Sequence, residues 1–142
     1  MKTIIFSTMI LLTVTGCATR LPEDELSSTR NRLEHYLMNN ATTQSELNIL
    51  SQNMVELANM ERHLLEYRIW NQSNYDQIEK SFTADCEAWE KRADAEAKKP
   101  SQYKGGSLEP TDHNLRMTGF IEKRIEELRT KWRKNNGSQN QT

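Results

Sequence analysis

Chemistry at a protein site needs a nucleophile with its base, a pair of tuned carboxylates or a set of metal ligands, and few residues of this chain qualify. Its three histidines, His35, His63 and His113, are far apart in the sequence, and no two stand in an i, i+3 or i+4 relation. No cysteine or carboxylate completes a metal-ligand spacing with any of them, so they read as surface or half-buried neutral imidazoles. Ser107 has Gly105 and Gly106 beside it, but no strand signal precedes it as a nucleophile elbow requires. Glu122, Glu126 and Glu127 interleave with Lys123, Arg124 and Arg129 in the manner of solvated helix pairs. The expectation is a protein without catalytic residues, metal ligands or cofactor, and not an enzyme.

The two cysteines, Cys17 and Cys86, need separate accounts. Residues 1–17 read MKTIIFSTMILLTVTGC: one cation, Lys2, then an uncharged and mostly apolar run from Thr3 to Thr15. That run is too short for a permanent membrane span and follows the plan of a secretory signal. Its last four residues, Val14-Thr15-Gly16-Cys17, resemble a bacterial lipobox. The resemblance implies a diacylglyceryl group on the Cys17 thiol, cleavage after Gly16 and Cys17 as the first mature residue. More than one acyl chain gives stable anchoring, each buried methylene contributing about 0.8 kcal/mol. The second mature residue is Ala18 rather than the Asp that commonly retains enterobacterial lipoproteins in the inner membrane. By that resemblance the expected location is the outer membrane, with the domain on its periplasmic face. With Cys17 acylated, Cys86 has no intramolecular partner in an oxidising compartment. It is either buried as a small apolar side chain, the commoner fate, or it links two chains in a dimer.

Removing residues 1–16 takes away one cation, so the remainder is one charge more negative than the −1 of the whole chain. That near-balance gives no footprint for nucleic acid. Glycine and proline are missing from residue 23 to residue 99, where Leu, Glu, Ala, Met and Arg recur, so the chain reads as helical throughout that stretch. A first helix is expected from Asp24 to Met38 with Leu26, Leu33 and Leu37 on one side, then a turn over residues 39–42. Thr43-Gln44-Ser45-Glu46 has the form of a capping box and opens a second helix to about Trp70. Leu47, Leu50, Met54, Leu57 and Leu64 form its apolar stripe.

Residues 71–74 are polar and interrupt the pattern. Tyr75, Ile78, Phe82, Trp89 and Ala93 carry a further stripe to about Lys99, with Trp89 in the core and Trp70 the more exposed aromatic. Pro100 to Pro110 is a loop. Thr111 or Asp112 caps a last helix to about Lys134, with Leu115, Ile121, Ile125, Leu128 and Trp132 inward. The cations of residues 129–134 complement that helix's dipole or touch an anionic surface. The plan is a signal peptide at 1–16, an acylated tether at 17–24, an all-α antiparallel helical bundle at 25–134 and a disordered polar tail at 135–142.

Three pieces between Ala84 and Leu128 resemble the lysozyme-inhibitor LprI-like family. Asp85-Cys86-Glu87-Ala88-Trp89 followed by Asp94-Ala95-Glu96-Ala97 is similar to that family's Trp-centred helix. Gly105-Gly106-Ser107-Leu108-Glu109-Pro110 has its Gly-Gly-Ser-x-x-Pro loop, and residues 121–128 end in the Arg-Ile-x-Glu-Leu of its last helix. Glu46-Leu47-Asn48 is similar to a family tripeptide near the start of the long first helix. The family's disulfide between the Trp helix and the last helix would fall at Ala97 and Arg116, where both cysteines are absent here. The arginine expected four residues after the Trp is Ala93, and the threonine of the last helix is Ile121.

The resemblance implies a small helical domain that inhibits lysozyme by steric insertion of a loop. Within that loop, Tyr103, Lys104, Gly105, Gly106 and Ser107 are the candidate partner-binding residues. Glycine brings backbone close to a partner, and its neighbours supply an aromatic anchor, a cation and a hydroxyl; the glycines also serve a plain turn between helices. The expected partners are the membrane, through the lipid on Cys17, and a protein, either a lysozyme or an envelope complex. A structural or accessory lipoprotein of an envelope assembly, such as a secretion or conjugation apparatus, is the alternative. An exposed Met/Leu stripe on the second helix, among Met54, Met60, Leu64 and Leu65, would favour it.

Overall fold

Four helices account for almost all of the backbone described by the computed structural model, which covers residues 22–72 and 78–131. Helix α1 runs Pro22–Asn40, α2 Gln44–Gln72, α3 Ile78–Ala97 and α4 Glu109–Lys131. The chain is an all-α helical bundle, as the missing helix breakers predict. Cys17, the signal segment, residues 73–77 (Tyr75 among them), Trp132 and the tail lie outside the described residues. Among those described, no helix is long and apolar enough to cross a membrane.

The helix ends follow local chemistry. Helix α1 opens on a proline, whose missing N–H is no loss in the first turn, and Glu23, Asp24 and Glu25 follow it where the helix dipole favours anions. It therefore begins two residues before the expected Asp24. The capping box is formed as expected: Thr43 Oγ1 accepts from Glu46 N at 3.2 Å, while Glu46 Oε2 accepts from Thr42 N and Thr43 N at 2.9 and 3.0 Å. Helix α4 starts at Glu109, ahead of the expected cap. Pro110 occupies its first turn, and Thr111 instead donates its hydroxyl to Asn48 Oδ1 at 2.6 Å.

Cross-helix pairs give the directions. Arg30 meets Glu61 and Glu23 meets Arg68, so α1 is antiparallel to α2. Gln44 reaches Thr111, Ser51 reaches Asn114 and Glu61 reaches Arg129, so α4 lies beside α2 and parallel to it. Helix α3 runs opposite to both, since Asp85 meets Arg124, Glu96 meets Arg116 and Cys86 meets Glu66. Sequential helices alternate up and down, with α1 joined to α2 and α4 on one side of that pair and α3 joined to both on the other.

The core consists of Ala58 and Leu65 from α2, Phe82 and Trp89 from α3, and Ile121, Ile125 and Leu128 from α4. Burying each large apolar side chain contributes about 1.5–3 kcal/mol. Phe82 and Trp89 are thus the main apolar hold on α3. The stripe expected on α2 holds in part: Met54 is buried and Leu47, Leu50 and Leu57 are half-buried, but its last member turns outward. Leu64 is 38% exposed while Leu65 is buried, and the buried face also carries Ser51, Glu61 and Arg62. The cause is that α2 is covered by more than one helix, a wider face than leucine spacing alone describes. Ser51 meets Asn114 of α4, Glu61 meets Arg30 of α1 and Arg129 of α4, and Arg62 pairs with Glu66 on α2 while lying against Trp89 of α3.

Candidate functional site

Residues 98–108 connect α3 to α4 and fold back on themselves. Tyr103 O accepts from Gly106 N at 2.7 Å, and Gly105 between them has φ of +76°. No other described residue except glycine has positive φ, so Lys104 is at negative φ and residues 103–106 make a type II turn, which needs glycine at its third position. Gly105 N donates to Glu109 Oε2 at 2.6 Å, Tyr103 N donates to Ser101 Oγ at 3.0 Å, and Glu109 N donates to Gly106 O at 3.1 Å. A side chain at Gly106 would place its Cβ 3.0 Å from Tyr103 O. The five candidate residues, Tyr103 to Ser107, are all exposed and consecutive on this turn.

What holds the loop was not legible as a motif. The buried hydroxyl of Thr111 and the Gln44 amide both reach Asn48 Oδ1, at 2.6 and 2.9 Å, and Asn114 Nδ2 donates to Ser51 Oγ at 3.1 Å. These bonds seat the start of α4 on the start of α2. At Arg116, where the family resemblance places a disulfide half, the guanidinium donates to Glu96 O at 2.5 Å and to Lys99 O at 2.9 Å, and pairs with the Glu96 carboxylate at 3.2 Å. It satisfies carbonyls at the end of α3 and so ties that end to α4 without a covalent bond. The signal available in the sequence was a long cation, Arg116, at one of the two positions where the resemblance would place a cysteine.

Away from the loop, the helices are joined by buried ions. Glu61 is fully buried and receives Arg30 from α1 and Arg129 from α4, the latter at 2.8 Å; Arg30 also reaches Glu122 at 2.9 Å. On the other side, Arg124 is 1% exposed and pairs with Asp85 at 2.5 Å and Glu66 at 3.6 Å. Arg62 pairs with Glu66 at 2.7 Å. Trp89 stacks on Phe120 with centroids 5.7 Å apart, and the guanidiniums of Arg62 and Arg124 lie 4.4 and 5.9 Å from its ring, within cation–π range. The reading of Glu122, Arg124 and Arg129 as solvated pairs is therefore corrected: they face other helices, and charge spacing on one helix carries no information about a partner supplied by another.

Cys86 is half-buried and makes no disulfide. Its sulfur lies 3.9 Å from Glu66 Oε1 and 3.5 Å from Arg124 Nη2, and burial, aided by the Glu66 charge, pushes the thiol above its ordinary range. The histidines remain separate: His35 and His63 are exposed and His113 is half-buried beside Arg116. Among the described residues no group of three His, Cys, Asp or Glu side chains could hold a metal ion. Trp70 is 38% exposed and tilts against Phe82 at 6.4 Å, whereas Trp89 is buried. Comparison with protein-family models, with curated proteins and with solved structures returns no match to this chain.

Proposed function

We propose that this chain is a lipid-anchored lipoprotein of the bacterial outer membrane whose periplasmic helical bundle binds a macromolecular partner through residues 103–107. The observation that supports the reading is where the turn sits and how it is built. Helix α1 starts at the level of Arg68, and the first turn of α4, directly after the 98–108 loop, meets Gln44 through Thr111 at the opposite end of α2. At 1.5 Å per residue those levels are roughly 35 Å apart. A lipid on Cys17, five residues before Pro22, would hold one end of the bundle at the bilayer and present the loop at the other. The turn is ordered by its own backbone bonds, so little entropy remains to be lost when a partner engages it.

The family resemblance supplies the partner class. A lysozyme cleft lined with carboxylates would be obstructed by the Tyr103–Ser107 turn, with Lys104 at its tip, without any chemical step. The test is inhibition of c-type and g-type lysozymes by the chain carrying Cys17→Ser, beside the same chain with Tyr103→Ala and Ser107→Ala. Inhibition that disappears in the double variant supports the reading. No inhibition at tens of micromolar, a binding free energy weaker than about −6 kcal/mol, removes lysozyme as the target.

One observation favours the assembly reading instead. Met60, Leu64 and Tyr67 are 54%, 38% and 67% exposed on α2 and share one face at i, i+4 and i+7. Met54 and Leu65, the other residues expected in such a stripe, are buried. A part of an envelope apparatus would use this face against its neighbour, and Leu64→Asp would then release it from the complex while leaving any lysozyme inhibition intact.

A further inference from the structure

One arginine differs from the rest. Seven of the eight arginines among the described residues have a carboxylate within 4.0 Å. Arg32 has none there, and its guanidinium reaches only the hydroxyl of Thr29, at 3.1 Å. It opens into a groove of about 650 Å³ between the outer face of α1 and Arg129 of α4. Ser28, Asn31 and His35 line the same wall, four, seven and eleven residues after Asp24, which sets them along one helix face over about 17 Å. Asp24 is the carboxylate in the lining, and it lies 3.7 Å from Arg129, whose other contact is Glu61.

We propose that this groove binds a phosphate monoester. A guanidinium fork with no carboxylate partner, held only by the Thr29 hydroxyl, matches two phosphate oxygens. The Ser28 hydroxyl, the Asn31 amide and the His35 ring add donors at the spacing of successive helical turns. A doubly charged phosphate outweighs the one carboxylate of the lining, which already lies against Arg129. Two sources share that chemistry: a lipid headgroup and a soluble phosphate monoester. The headgroup source rests on the lipid anchor, because five residues from Cys17 to Pro22 span at most about 18 Å and place the first turns of α1 close to a bilayer surface.

The test uses the chain with Cys17→Ser, so that no acyl chain carries it to a membrane. Binding of glycerol 3-phosphate is followed by amide shifts of residues 27–35. Binding to phosphatidylcholine vesicles with and without phosphatidic acid is followed by flotation. Each is repeated with Arg32→Gln and with Lys91→Gln, an exposed control on α3. Arg32 is exposed and makes one hydrogen bond on its own helix, so its substitution leaves the packing untouched, and circular dichroism verifies this. The expected result is a loss of about tenfold with Arg32→Gln, none with Lys91→Gln, and weakening with salt. Binding of glycerol 3-phosphate alone identifies a soluble ligand; binding to phosphatidic acid vesicles, with or without it, identifies a headgroup. Failure of both probes to bind, or an equal effect of the two substitutions, overturns the site.

Discussion

Glu61→Gln is the substitution that most directly examines how this bundle holds together. The carboxylate is fully buried and receives one arginine from α1 and one from α4, so a single side chain joins three helices. Glutamine keeps the shape and removes the charge. Breaking a buried ion pair from one side costs about 3–5 kcal/mol, because the remaining cation stays desolvated. Two features place this case near the lower end. Arg30 keeps Glu122 at 2.9 Å, and Arg129, with its side chain 31% exposed, has Asp24 at 3.7 Å and solvent to turn to. The expected loss is therefore about 3 kcal/mol, a large part of the roughly 5–15 kcal/mol that stabilises an ordinary domain. With a urea slope of about 1.5 kcal/mol/M it lowers the unfolding midpoint by about 2 M. The double variant Arg30→Met with Glu61→Leu removes both ions and fills their space, and is expected to recover most of the loss. Helicity followed through urea titrations of the three proteins measures this. A Glu61→Gln cost under about 1 kcal/mol, or a double variant no more stable than Glu61→Gln, would refute the assignment of the network to helix docking.

Glu46 is held below the usual carboxylate range first by the Thr42 backbone N–H and then by that of Thr43. Its folded value is the lower one, so its stabilisation is complete above the unfolded carboxylate range and is lost as pH falls through the folded value. Glu46→Gln is expected to shrink the fall in urea midpoint between neutral pH and pH 3; an unchanged fall removes the capping box from acid sensitivity. Gly105→Ala forces alanine to a φ of +76° and is expected to cost about 1–2 kcal/mol, read as a Tm lower by several degrees; an unchanged Tm would mean the turn re-forms without strain. The Cys86 thiol, half-buried and raised by burial, is expected to react with a thiol reagent more slowly in the folded chain than in urea. The folded protein is expected to stay monomeric on a non-reducing gel, and a Cys86-linked dimer under native conditions contradicts this packing.

Local rules were legible wherever one short segment contained all the interacting groups. The Thr43–Glu46 capping box, the helix end before Pro100 and the turn at Gly105 each depend on residues within a few positions of one another, and the structure forms all three. The α4 start was misplaced by three to four residues: Thr111, a good cap by type, lies inside the helix and is drawn into a hydrogen bond with Asn48 on another helix. On α2, Leu64 was expected inward, but Leu65 takes that place. Leucine spacing marks one apolar line, but a helix covered by two neighbours buries a wider arc, and the rest of that arc is Ser51, Glu61 and Arg62.

By itself the sequence determined the fold class, the order of the helices and the position of the exposed loop, because helix propensity, breaker placement and turn chemistry act over short separations. The tertiary structure decided which charges are interior. Arg30, Glu61 and Arg124 look on their own helices like any solvated residues, and only the approach of a second and third helix removes their water and supplies their partners. It also decided that α2 and α4 lie side by side and that Arg32 is left without a carboxylate among the described residues. Both outcomes depend on Coulomb and packing terms between residues tens of positions apart, which no pattern along a single helix encodes.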